Sequence, residues 1–154
     1  MTTSISGSTG IDKVQSGAVE TGDLPAGSVL QVVQGDFNNA GFSTTSTGQV
    51  ASGYTLSITP TTSGNKVLAF VNGMVQNNTA SRWGAVQIKD TTNGTFSDNV
   101  QCLGRDLEEE FFAIWHIFTT TSVSTHTYEL YQGSCDDQTK AYRRMNFLLM
   151  EIAG

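Results

Sequence analysis

Turn clusters cut this chain into short runs of strand-forming residues, and none of the runs carries helical spacing. In the sharpest run Tyr54, Leu56 and Ile58 alternate with Thr55, Ser57 and Thr59, and Pro60 with the following Thr-Thr-Ser-Gly-Asn stops it. Alternation at period two buries one side of a strand and wets the other, and the cluster after it has turn chemistry. A β-branched run from Ser28 to Val33, ending at Gly35, opens the series. Further strands are predicted over 66–75, 82–89, 95–103, 111–119, 125–131 and 141–152. A series of this kind without a helix predicts an all-β fold, an antiparallel β-sandwich of jelly-roll-like form.

Two of the runs break the alternation. Phe111 to Phe118 is apolar on both faces, and so is the last run, where Met145, Phe147 and Leu149 stand against Leu148, Met150 and Ile152. An antiparallel sandwich normally keeps one face of each sheet wet, so such strands need a second cover. Either another subunit or a long loop folded over the sheet supplies it, and an exposed apolar patch of that size favours the subunit. Phe111, Trp115, Phe118, Phe147 and Leu149 are the candidate interface residues.

Residues 1–27 read differently. They are rich in Ser, Thr and Gly, with Ile5, Ile11, Val14, Val19 and Leu24 too scattered to bury a core. This stretch is expected to be a flexible arm whose single apolar residues dock on a partner, leaving 28–154 as the folded head. The whole chain has 154 residues, which suits one domain. The arm shows no signal-peptide pattern and the chain no membrane-length apolar run, so neither export by that route nor a membrane is expected.

Charge and motifs narrow the function. A net charge of −6 argues against a nucleic-acid partner. The 36 Ser and Thr residues fit strand surfaces and turns. No phosphate-loop, dinucleotide, zincin, serine-hydrolase elbow or paired-cysteine string occurs, so no enzyme activity, cofactor or metal is expected. Cys102 and Cys135, the two cysteines, are expected as free thiols. His116 and His126 flank a predicted hairpin that sets Glu129 opposite His116, which reads as a structural imidazole. Asp106, Glu108, Glu109 and Glu110, like Asp136 and Asp137, lack calcium-loop spacing and read as solvated acidic loops. Arg143 and Arg144 are expected on opposite faces of the last strand, with a salt bridge to the loop at 108–110. Asn77, Asn78, Ser81, Arg82 and Trp83 gather amides, a guanidinium and an indole at a loop-to-strand junction, a set suited to a glycan.

Three segments carry a resemblance. DLPAGSVLQVVQG, SGYTLSITPTTSGNKVLAFV and the terminal RRMNFLLMEIAG resemble the distal domains of bacteriophage tail fibres, above all those of phages of cyanobacteria and other marine bacteria. The opening SISGSTGIDKVQSGAV is similar to the stretch that often precedes such domains. The resemblance implies a virion surface protein assembled in the host cytoplasm, with a β-sandwich head that forms a homotrimer, contacts other virion proteins and attaches to a host cell-surface glycan. A capsid decoration protein, acting as a knob or cement, is the alternative within the same class. A carbohydrate-binding module is the alternative outside it.

Overall fold

The computed structural model describes residues 23–77, 82–104, 109–134 and 140–154. These form nine strands: β1 (Val29–Thr44), β2 (Val50–Ile58), β3 (Lys66–Asn77), β4 (Arg82–Asp90), β5 (Thr95–Phe96), β6 (Val100–Gly104), β7 (Glu109–Thr119), β8 (His126–Ser134) and β9 (Lys140–Ile152). Every pairing is antiparallel. The first sheet has the order β1-β9-β3-β7, and the second β2-β8-β4-β5 with β6 also on β4. Pairing is nested along the chain: β1 with β9 and β3 with β7 in one sheet, β2 with β8 and β4 with β6 in the other. One long antiparallel ribbon has thus been wrapped so that successive pairs alternate between layers, which is the jelly-roll arrangement expected from the sequence. Among the described residues no helix is long and apolar enough to cross a membrane.

The core lies between the layers. Val67, Ala69, Val71 and Val75 from β3 and Met145, Phe147 and Leu149 from β9 meet Val86, Ile88, Tyr128 and Leu130 from the second sheet. Tyr142 reaches across with its hydroxyl, which donates to the carbonyl of Gly133 at 2.8 Å. Gly84 makes room for it, since a Cβ there would sit 2.5 Å from the Tyr142 hydroxyl oxygen.

The fold corrects four sequence expectations. β1 does not stop at Gly35 but runs to Thr44, because its polar half continues to pair with β9 from Met145 back to Lys140. The run over 95–103 splits into β5 and β6. β7 and β8 form no hairpin: the segment between them crosses from one sheet to the other, so His116 lies opposite Ala69 while Glu129 lies opposite Thr55 and Lys89. Arg143 and Arg144 do not divide between the faces. Arg144 adopts φ 51, in the left-handed region, and the β3–β9 register shifts between Asn72 and Met74. That bulge adds a residue to β9, turning both arginines outward while Tyr142 and Met145 on either side stay buried.

Candidate functional site

The outward face of the first sheet follows from strand parity. On β7, Phe112, Ile114 and Phe118 point into the core, so Phe111, Trp115 and Ile117 point away from it and are 78%, 65% and 47% exposed. Interstrand register extends each of these into a row. Ile117 lies beside Leu68, which lies beside Met150, which lies beside Val32 at the far edge. Trp115 begins the next row, through Phe70 and Leu148 to Gln34. The row below is polar at its centre, running from Ala113 through Asn72 and Asn146 to Asp36. Phe111 and Met74 follow, and there Arg143 and Arg144 each lie 3.5 Å from the Glu109 carboxylate. The acidic partner anticipated for the arginines is therefore present, although so exposed a pair adds little stability.

Between the tryptophan row and the amide row lies a shallow hollow of about 200 Å³, bounded by Gln34, Phe70, Asn72, Asn146, Phe147 and Leu148. Asn72 Oδ1 is buried there without a hydrogen-bond partner among the described residues. Amides on an otherwise apolar sheet face can bond only to each other or to whatever covers that face.

The candidate interface residues thus separate into two groups. Phe111 and Trp115 stand on the outward face, whereas Phe118, Phe147 and Leu149 fill the core and offer no surface to another chain. Sequence alone marks both faces of these strands as apolar without saying which is covered from within. Leu24 is 38% exposed, and Ile5, Ile11, Val14 and Val19 lie outside the described residues. Asn78 and Ser81 also lie outside them, while Asn77 closes β3 and Arg82 and Trp83 open β4. Cys102 belongs to β6; Cys135, Asp106, Glu108, Asp136 and Asp137 fall outside the described residues. Among the described residues no three His, Cys, Asp or Glu side chains gather to hold a metal ion.

Two buried polar clusters were not legible as sites. Glu151 is fully buried at an inward position of β9. Its carboxylate accepts from the Thr61 amide at 2.7 Å, the Thr61 hydroxyl at 2.9 Å, Asn65 Nδ2 at 2.7 Å and Gln31 Nε2 at 2.6 Å. Burial pushes the Glu151 carboxyl up, but the hydrogen bonds from Asn65, Gln31 and Thr61 outweigh it and hold the group below its ordinary value. A lone Glu in the inward series Met145, Phe147, Leu149 was the available signal. The second cluster joins His126 Nδ1 to Asp90 Oδ2 at 3.1 Å, both fully buried. Asp90 also accepts from the Thr92 and Asn93 amides, at 2.9 and 3.1 Å. Ser122 Oγ lies 3.4 Å from His126 Nε2 and 2.6 Å from Ser124 Oγ. The set clasps the turn after β4 to the crossing between β7 and β8, with Asp90, rather than the anticipated Glu129, beside a histidine. Burial, with the Asp90 charge second, pushes the nearby Tyr128 hydroxyl well above the usual phenol range.

No family model matches this chain, and no curated protein matches it. Among solved structures, the chain is similar to infectious bursal disease virus, Gx strain, at 8% identity and TM-score 0.45, over 80% of this chain and 37% of that one. The Gt strain gives 12% identity and TM-score 0.42, over 80% and 32% of the two chains. The chain thus spans about a third of the length of these two structures. The CBM22-1 xylan-binding domain from Paenibacillus barcinonensis gives 15% identity and TM-score 0.37, over 85% and 99%. The enzymatically active domain of tailspike protein 4 from bacteriophage CBA120 gives 14% identity and TM-score 0.34, over 79% and 18%.

Proposed function

We propose that this chain is a non-enzymatic structural protein of a virus particle, a jelly-roll head displayed at the particle surface for attachment to the host. The observation that carries this reading is the polarity of the sandwich. At one pole the start of the head and the chain end are laced together, with the Gly27 amide donating to the Ala153 carbonyl and the Ala153 amide to the Ser28 carbonyl, each at 2.9 Å. At the other pole β1, β3 and β9 meet where Thr44 and Asn77 pair with Lys140. β3 ends at that second pole with Asn77, and β4 begins there with Arg82. Twelve residues of β3 set the poles about 40 Å apart. We assign the glycan contact to that second pole, where β3 ends at Asn77 and β4 begins at Arg82, because the amides, indole and guanidinium of this stretch of sequence suit a glycan of the host surface. In this reading residues 1–27 serve as the anchor to other virion proteins, with Gly27 at the opposite pole beside Ala153.

The test is made on particles. Trp83→Ala is expected to reduce adsorption to host cells at least about 10-fold with unchanged incorporation and a melting temperature within a few degrees of the parent, as for the loss of one exposed aromatic contact. Removal of residues 1–27 is expected to give a folded head that no longer incorporates. If Trp83→Ala adsorbs normally and the shortened protein still enters particles at full copy number, the sandwich itself holds the shell, and capsid decoration replaces attachment.

A further inference from the structure

We infer that the outward face of the first sheet is a pairing surface for a second copy of this chain, related by a two-fold axis running parallel to the strands. Among the described residues the chain leaves this face uncovered, with Trp115 and Phe111 mostly in solvent. Exposed apolar patches of this kind mark interaction sites. Four strands about 4.8 Å apart and the six outward positions of β3 from Lys66 to Gln76, about 6.7 Å apart, make a face of about 800 Å², which is what one partner buries in a stable interface.

The rows choose the partner and its orientation. A two-fold along the strands keeps each row at its own level and exchanges the edges, laying β1 over the second copy's β7 and β9 over its β3. Val32 then meets Ile117 of the second copy, and Met150 meets its Leu68. Where the row turns polar, Asn146 meets Asn72 of the second copy. An amide carries both donors and an acceptor, so Asn146 and the second copy's Asn72 can bond to each other and give the buried Asn72 Oδ1 a partner. Asp36 falls over Ala113. An axis across the strands through the polar row would instead stack Asp36 on its own counterpart and set the two copies' Gly27–Ala153 poles at opposite ends. The axis along the strands places both copies' Gly27–Ala153 pairs at one pole and both β3 ends at Asn77 at the other, an arrangement that rests on the attachment reading above, which sets anchor and contact at opposite poles. A single self-complementary face suits an isologous pair, in place of the trimer that the sequence resemblance implies.

Sedimentation equilibrium of the full chain at micromolar concentration is expected to give twice the 16.5 kDa chain mass. Ile117→Glu, which sets a carboxylate against the second copy's Val32, should weaken pairing at least about 100-fold, with a melting temperature equal to the parent's when both are measured dilute enough to be single chains. Val32→Lys added to the same chain should recover at least about 10-fold of that loss. The two positions lie on opposite edges of one sheet, so they meet only across the axis. A monomer overturns the proposal, and so does a dimer indifferent to Ile117→Glu. A trimer overturns the two-fold, and a loss that Val32→Lys does not recover overturns the register. Trp115→Ser takes the place of Ile117→Glu if the latter disturbs folding. Failed host adsorption with pairing intact would count against the attachment reading alone.

Discussion

On the outer side of the second sheet, Ser57 and Thr127 share a hydrogen bond of 2.8 Å, and so do Thr59 and Thr125; on the outer side of the first sheet, Trp115, Phe111 and Ile117 stand bare. Aromatic rings occur on both outer faces, but they are treated differently. The ammonium of Lys89 lies 4.8 Å from the centroid of Phe96 and 5.2 Å from that of Tyr131, covering both from within the chain. Nothing of the kind lies over Trp115 among the described residues. Among the described residues, Phe96 and Tyr131 of the second sheet have a cation of the same chain beside them, although Phe96 stays 43% exposed, whereas Trp115 and Phe111 of the first sheet have none. Stability therefore resides in the shared core, and the pairing we propose is assigned to one outer surface.

The largest expected effect tests that division within a single strand. Phe118→Asp puts an unpaired charge into the core and is expected to cost about 3–5 kcal/mol by urea denaturation. Phe111→Asp, seven residues earlier on the same strand but facing out, is expected to change the stability of the single chain by less than about 0.5 kcal/mol while abolishing pairing. Equal losses of stability from the two would erase the distinction between the faces.

Glu151→Gln comes next, at an expected cost of about 1–3 kcal/mol near neutral pH, because an amide offers one acceptor oxygen where the carboxylate offers two. The folded carboxyl lies below its ordinary value of 4.5, so its contribution is complete above that pH and is lost as the pH falls through the lower folded value. Melting temperatures of the parent should fall more steeply below pH 4.5 than those of the variant. Parallel curves would show that the Glu151 hydrogen bonds do not govern acid sensitivity. The smallest effect belongs to the wet sheet: Ser57→Ala removes one exposed hydroxyl bond and should shift stability by less than about 0.5 kcal/mol and leave the sedimentation mass unchanged.

Much of the sandwich was legible because period two is a local property. The alternation around Leu56 and the doubly apolar run from Phe111 to Phe118 mark strands whatever they pair with, and Pro60 marks an end. The bulge at Arg144 was not legible: arginine has no preference for the left-handed region, and only the joint demands of Tyr142 and Met145 for the core place it there. His126 could not be assigned Asp90 from sequence, since the two are brought together by β4 pairing with β8 across 36 positions. Glu151 draws its partners from β1 and from the β2–β3 connection, which no spacing within β9 reveals.

The sequence by itself determined that the chain forms strands, which residues share a side of each strand, and that β7 and β9 are apolar on both sides. Tertiary structure alone decided which of those sides became core and which became surface, because backbone ladders bond alike for every side chain and leave register and layer to packing. Phe118 and Phe111 have the same chemistry. Once β7 had paired with β3 in that register, one of them faced the second sheet and the other faced outward.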